Sequence, residues 1–247
     1  MEYRQLGNSG LKVSLHTLGT MNFASEGFFG KIGTVTVKDA KRLVDVAVDH
    51  GVNLIDTSNV YTTGKSEEAL GEVLKGASSQ LLVGTKVRFP MGQGPNEQGL
   101  SRFHIIHECE ASLKRMKRSH IDIYYLHEWD GSTPVEETME AMDTLVKQGK
   151  VRYLACSNFS GWHIMKCLMA AEKQGYQRFV CQQIHYTLES RDAGRDARRF
   201  GCASGARLAR GPPGRCIDHP RSAHRGATEG QSGSGFAGAH GRGAQDA

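Results

Sequence analysis

The sequence predicts an α/β chain: a (β/α)8-type barrel, incomplete at about six βα units, with an N-terminal β-hairpin and a disordered C-terminal tail. Three observations predict it. Short apolar runs recur at about 30–40-residue intervals, the size of a βαβ unit, with amphipathic helical patterns between them. Each run closes on a polar residue, as strands do at a barrel rim. An open dinucleotide-binding sheet would carry Gly-x-Gly-x-x-Gly after its first strand. Leu18-Gly19-Thr20-Met21-Asn22 stands there instead.

The elements follow in order. Tyr3-Arg4 through Val13, with Gly7-Asn8-Ser9-Gly10 between, reads as a hairpin capping the barrel floor. Apolar runs at 15–18, 52–55, 81–83, 121–126, 151–155 and 179–181 read as strands. Thr36-Val37-Lys38-Asp39 is a capping-box pattern before Leu43, Val44 and Ala47, and Gly51 stops that helix. Ser66-Glu67-Glu68 opens a helix carrying Leu70, Val73 and Leu74. Ser101 begins a longer one through Ile105, Cys109, Leu113 and Met116. Thr133-Pro134-Val135-Glu136 reads as a second capping box, with Pro at the first helical position. Met139, Met142 and Val146 follow, and Gly149 ends the helix. Residues 161–174 make a fifth helix, closed by Gly175.

In a parallel barrel the carboxyl ends of the strands share one rim, where active sites lie. Here they present Asp56, Lys86, His127, Ser157-Asn158 and Gln183. Each has a bland reading. Asp56 caps a turn, Lys86 neutralises it, His127 is a satisfied half-buried histidine, and Ser157-Asn158 caps the helix near Gly161. Five successive strands ending this way favour a site over five coincidences.

Composition narrows the classes. The chain has 247 residues and a net charge of +5, with 38% apolar residues. It has no apolar stretch long enough for a membrane span. The start, Met1-Glu2-Tyr3-Arg4-Gln5, lacks the basic segment and apolar run of a secretory signal. The six cysteines form no Cys-x-x-Cys pair, which argues against a zinc ribbon, and no metal is expected. A reducing cytoplasm is the plain expectation.

Residues 191–247 differ from the rest. They hold 12 glycines, 11 alanines and 10 arginines, and no Lys, Val, Met, Tyr or Trp. Their large apolar residues are Phe200, Leu208, Ile217 and Phe236. So few apolar groups cannot offset an ordering entropy of about 1–2 kcal/mol per residue. This segment is therefore read as a disordered tail, and 1–190 as the barrel-like domain. The net charge belongs to the tail: residues 1–190 carry 21 basic and 21 acidic side chains. The tail lacks repeated Arg-Gly-Gly spacing and interleaved aromatics, so nucleic acid is not an expected partner.

The motifs carry a resemblance. Asn53-Leu54-Ile55-Asp56-Thr57-Ser58-Asn59-Val60-Tyr61 with Gly64-Lys65-Ser66-Glu67 is similar to the signature of the aldo-keto reductases. So are Gly84-Thr85-Lys86, Ile121-Asp122-Ile123-Tyr124-Tyr125-Leu126-His127, and Gly149-Lys150-Val151-Arg152-Tyr153 with Ser157-Asn158-Phe159. The opening, Tyr3 to Ser14, resembles the bacterial and potassium-channel-β-like branch, and the similarity covers residues 1 to about 192. It implies an NADPH-dependent reductase of aldehydes or ketones with a catalytic set of Asp56, Tyr61, Lys86 and His127. A phenol of ordinary pKa near 10 is a poor acid at neutral pH, and a nearby ammonium favours its phenolate. Tyr61 is thus the implied acid, Lys86 its tuning partner and Asp56 the group that holds Lys86. His127 is the hydrogen-bond partner of the substrate oxygen. The same similarity gives Ser157, Asn158 and Gln183 to the nicotinamide carboxamide, and Thr20, Met21 and Asp56 to its ribose side. Trp129 either lines the substrate pocket or packs.

The chain departs from the family after Arg191, where two further βα units and an adenosine-gripping cluster are expected. The Gly/Ala/Arg bias motivates a shifted-frame reading: suitable codons for Ser204 to Ala209 read Trp-Ser-Pro-Leu-Gly from their third base. Two alternatives to a reductase stay open, a non-catalytic cofactor-sensing subunit of the channel-β type and an inactive truncated product. Self-association is left open as well, and the carbonyl substrate is not readable.

Overall fold

The computed structural model describes residues 1–24, 34–77 and 80–185. The expectations for 191–247, including the tail's disorder and its frame, lie outside the described residues.

A hairpin opens the chain. Strand β1 (Tyr3–Gln5) pairs antiparallel with β2 (Lys12–Ser14), Arg4 facing Val13. Six strands then form one parallel sheet: β3 (Leu18–Gly19), β4 (Leu54–Asp56), β5 (Leu82–Val87), β6 (Ile121–Leu126), β7 (Val151–Ser157) and β8 (Phe179–Gln183). They pair strictly in chain order, giving a parallel half-barrel with helices on its outer face. The helices are α1 (Val37–Asp49), α2 (Lys65–Val73), α3 (Arg102–Met116), α4 (Val135–Lys147) and α5 (Gly161–Gln174).

Several strands run past their apolar cores into the polar rim: β4 ends on Asp56, β7 on Ser157 and β8 on Gln183. Backbone pairing does not depend on side-chain polarity, so an apolar run marks only the buried part of a strand.

Two apolar clusters hold the sheet. The larger lies between sheet and helices, around Ile105, Leu126, Met139, Met142 and Leu145. The smaller lies inside the arc, where Leu54, Leu82, Ile123 and Tyr125 meet Leu6 and Val13 of the hairpin. The hairpin seats closely on the start of β8. A Cβ on Gly7, whose φ is +51°, would stand 1.9 Å from the Val180 carbonyl oxygen. The Asn8 N–H donates to that same oxygen at 3.2 Å. Only glycine permits this approach.

Thr36 caps α1 and Ser101 caps α3, each accepting from a backbone N–H at 3.2 Å. The capping box expected at Thr133 does not form. Pro134 is the N-cap of α4, one residue later than read, and the Thr133 hydroxyl instead donates to Asp130 at 2.8 Å. Asp130 also accepts from the Leu100 N–H at 2.6 Å, so its carboxylate ties two loops together. Ser66 does not open α2 either. That helix starts at Lys65 behind Gly64, and the Ser66 hydroxyl is buried against Thr20. Among the described residues no helix is long and apolar enough to cross a membrane.

Candidate active site

The ladder sets the site. Asp56 pairs with Gly84, and Lys86 with Tyr125 one strand further on. Beyond β4 the chain keeps this alignment, since the Thr57 N–H donates to the Gly84 carbonyl and the Asn59 N–H to the Lys86 carbonyl. The His127 N–H donates to the Val87 carbonyl at 2.9 Å. Residues distant in sequence therefore reach one rim through ordinary strand pairing.

Lys86 is the centre. Its side chain is 1% exposed, and its ammonium donates to Asp56 Oδ2 at 2.6 Å, the Thr57 carbonyl at 2.8 Å and Tyr61 Oη at 3.3 Å. The Tyr61 ring centroid is 5.0 Å from Nζ. Burial pulls the Lys86 pKa down, but the Asp56 carboxylate and Tyr61 oxygen outweigh it and raise it, so the ammonium keeps its charge. Asp56 Oδ1 is buried without a partner among the described residues.

Tyr61 begins a single 3-10 turn, Tyr61–Gly64. Thr62 and Thr63 take φ of +51° and +52° there, costly values for β-branched residues. Thr62 is also buried, its hydroxyl unpartnered among the described residues. Strained backbone of this kind clusters at functional sites.

His127 completes the group. Its ring meets Tyr61 edge-on at 6.1 Å between centroids and Phe89 at 4.8 Å. Burial, and then the charges of Lys86 and Arg88, push its pKa down to about 3, so the imidazole is neutral near pH 7. The Ser58 hydroxyl lies 3.1 Å from Nδ1.

The next two strand ends carry amides. Asn158, at φ +55°, donates from Nδ2 to Ser157 Oγ at 3.1 Å, and its N–H donates to the Gln183 carbonyl at 3.0 Å. One hydroxyl and two amides offer both donors and acceptors, a set suited to a carboxamide. Thr20 lies deeper. It is fully buried, with its hydroxyl 2.9 Å from Ser66 Oγ, whereas Met21 beside it is exposed. Trp129 stacks on His163 of α5 at 4.2 Å between centroids and packs edge-on against Phe159. Of its two readings, packing is the one with contacts.

Sequence reasoning missed the support behind the rim. Glu67 and Glu108 are buried at its back and share Arg115, at 2.6 and 3.1 Å. Glu67 also accepts from Thr85 at 2.5 Å, and Glu108 from Asn59 Nδ2 at 3.0 Å. Thr85 precedes Lys86, and Asn59 sits two residues before Tyr61, so this network braces both. Glu67, Asn59 and Thr85 stand within the quoted motifs, but no motif points to Glu108 or Arg115. Among the described residues no cluster of three or more His, Cys, Asp or Glu could hold a metal.

Comparison with known proteins gives the family. The model of the aldo/keto reductase family matches residues 17–207, reaching beyond residue 192, about where the similarity was read to end. The uncharacterized oxidoreductase YrpG of Bacillus subtilis is 38% identical over 204 residues, which are 78% of this chain and 60% of that protein. Probable voltage-gated potassium channel β subunits of Arabidopsis thaliana and Oryza sativa are 37% and 36% identical, over 77% of this chain and 57% of theirs. The match thus spans less than two thirds of these curated relatives. With the family match covering most of the sequence, the half-barrel has a parentage: this chain belongs to the aldo/keto reductase family.

Proposed function

We propose that this chain is an oxidoreductase that reduces an aldehyde or ketone to an alcohol with a nicotinamide cofactor, NADPH by preference. The observation that carries the reading is the contact set of Lys86: a buried ammonium held at 2.6 Å by a carboxylate and 3.3 Å from a phenol oxygen, beside a neutral imidazole.

The bound cofactor supplies the hydride that adds to the carbonyl carbon. The residues of the chain manage the charge and proton that this addition requires. Negative charge develops on the carbonyl oxygen, and Tyr61 donates its phenolic proton there. The phenolate left behind is stabilised by the Lys86 ammonium, which Asp56 holds in place. His127 holds the carbonyl oxygen by a hydrogen bond while the charge grows. Solvent then returns a proton to Tyr61.

The rim fits a nicotinamide. Ser157, Asn158 and Gln183 would hold its carboxamide, and Asp56 Oδ1, buried and unpartnered among the described residues, is an acceptor for a ribose hydroxyl. Met21 would flank the ribose, and Thr20 would support that side by anchoring Ser66. The relatives motivate a second reading, a cofactor-sensing subunit without turnover. The intact acid–ammonium–carboxylate arrangement favours catalysis over it.

One titration separates them. NADPH and NADH fluorescence is followed with the full chain, and then turnover of a simple aldehyde, with Tyr61→Phe as control. Binding with turnover that Tyr61→Phe abolishes is expected. Binding without turnover supports the second reading, and absence of binding overturns both.

A further inference from the structure

We propose that Ser58 is a positioning residue of this site: its hydroxyl donates to Nδ1 of His127 and thereby fixes the imidazole tautomer that carries its proton on Nε2. The proposal rests on the carbonyl-reductase reading only for its use, since the tautomer itself is a property of the chain.

Ser58 is fully buried, and its Oγ lies 3.1 Å from His127 Nδ1. Among the described residues that ring nitrogen is the one partner recorded for the hydroxyl. A neutral imidazole has one N–H and one lone pair, so two assignments exist. In the first, Nδ1 carries the proton and donates to Ser58 Oγ. The serine O–H is then buried with no acceptor, a state that folded proteins avoid. In the second, the serine donates to the Nδ1 lone pair and both groups are satisfied. The second assignment leaves the proton on Nε2, across the ring from Ser58.

The consequence is chemical. Only Nε2–H can donate a hydrogen bond to an oxygen gaining negative charge, and the other tautomer would present a lone pair to it. The environment removes the third option, a doubly protonated ring. Burial and the nearby Lys86 and Arg88 charges keep the imidazole neutral. The ring is held in place besides by Phe89, at 4.8 Å between centroids. Ser58 itself is fixed by its backbone, since its carbonyl accepts from the Tyr61 N–H at 3.2 Å. One short turn therefore links the proposed acid to the residue that orients the imidazole.

The test is nitrogen NMR of the full chain with labelled histidine. The His127 signals are assigned by their loss in His127→Gln. The expected pattern has an unprotonated Nδ1 and a protonated Nε2 at neutral pH. Ser58→Ala should shift it toward a mixture or toward Nδ1–H. Ser58→Thr keeps the hydroxyl and should restore the wild-type pattern. In kinetics Ser58→Ala should lower kcat about tenfold, about 1.4 kcal/mol in barrier, while cofactor binding stays within about twofold. A protonated Nδ1 in the wild type overturns the proposal, as does an unchanged ring pattern in Ser58→Ala. A Ser58→Ala chain that only melts earlier, with kcat unchanged, shows a structural role and also overturns it. The NMR reading needs no turnover. A wild-type chain with the expected tautomer but no aldehyde reduction contradicts the reductase reading and not the role of Ser58 on the ring.

Discussion

The floor and the rim of the sheet each set an aspartate beside a cation, buried at the floor and half-buried at the rim, and they treat it differently. At the floor, Asp122 is the second residue of β6, with both oxygens in use. Oδ2 accepts from the Val83 N–H and Arg118, each at 2.9 Å, and Oδ1 from Arg152 at 3.2 Å. At the rim, Asp56 ends β4 with Oδ2 on Lys86 and Oδ1 unpartnered among the described residues. Backbone follows the same division. The turns before β4 and β7 place glycines, Gly51 and Gly149, at positive φ, although Lys117 before β6 does so without one. The rim uses Thr62, Thr63 and Asn158. A satisfied, relaxed end holds the strands together, whereas an unsatisfied, strained end is poised for a ligand.

The sharpest way to break this contrast is Lys86→Met. It leaves the half-buried Asp56 uncompensated, a loss of about 2–3 kcal/mol in stability, and should also cut turnover by about a thousandfold. Urea unfolding and aldehyde turnover read the two effects. At the floor, Asp122→Asn removes a charge that two arginines share. It should cost about 3 kcal/mol in urea unfolding while turnover per folded molecule stays within about twofold. Equal damage to activity at both ends would erase the distinction.

A smaller effect comes from His127. Its folded pKa of about 3 lies below the ordinary 6.5. Between those values the unfolded chain binds a proton that the folded protein refuses. Stability therefore falls as pH drops through the window and stands in full above about 6.5. His127→Gln should flatten the decline of Tm between pH 6.5 and pH 4 relative to wild type. The smallest effect is a gain: Thr62→Gly relieves a left-handed β-branched residue and an unpartnered hydroxyl. It should raise stability by about 1 kcal/mol, seen as a higher urea midpoint.

Much of this was legible in the sequence, for physical reasons. Period and run length mark strands and helices, and Asp56, Lys86 and His127 show because each ends an apolar run. Tyr61 does not end a run. It lies five residues past Asp56 on an irregular turn, and only the resemblance singled it out. The roles of Ser58, Glu67 and Glu108 depend on contacts across 69, 48 and 49 positions in sequence, which no local pattern encodes. The Thr133 cap failed for a local reason instead: Asp130, three residues earlier, takes that hydroxyl, a competitor that the capping pattern does not contain.

The central claim is that the Asp56–Lys86–Tyr61–His127 rim delivers a proton to a carbonyl oxygen as hydride reaches its carbon. The direct measurement is reduction of a simple aldehyde by the full chain, using cofactor deuterated at the transferred position, compared with Tyr61→Phe. The account predicts an alcohol bearing one deuterium on the former carbonyl carbon, formed at least about a hundredfold more slowly by Tyr61→Phe at unchanged cofactor affinity. Alcohol without the label, or equal rates for the two chains, would contradict it.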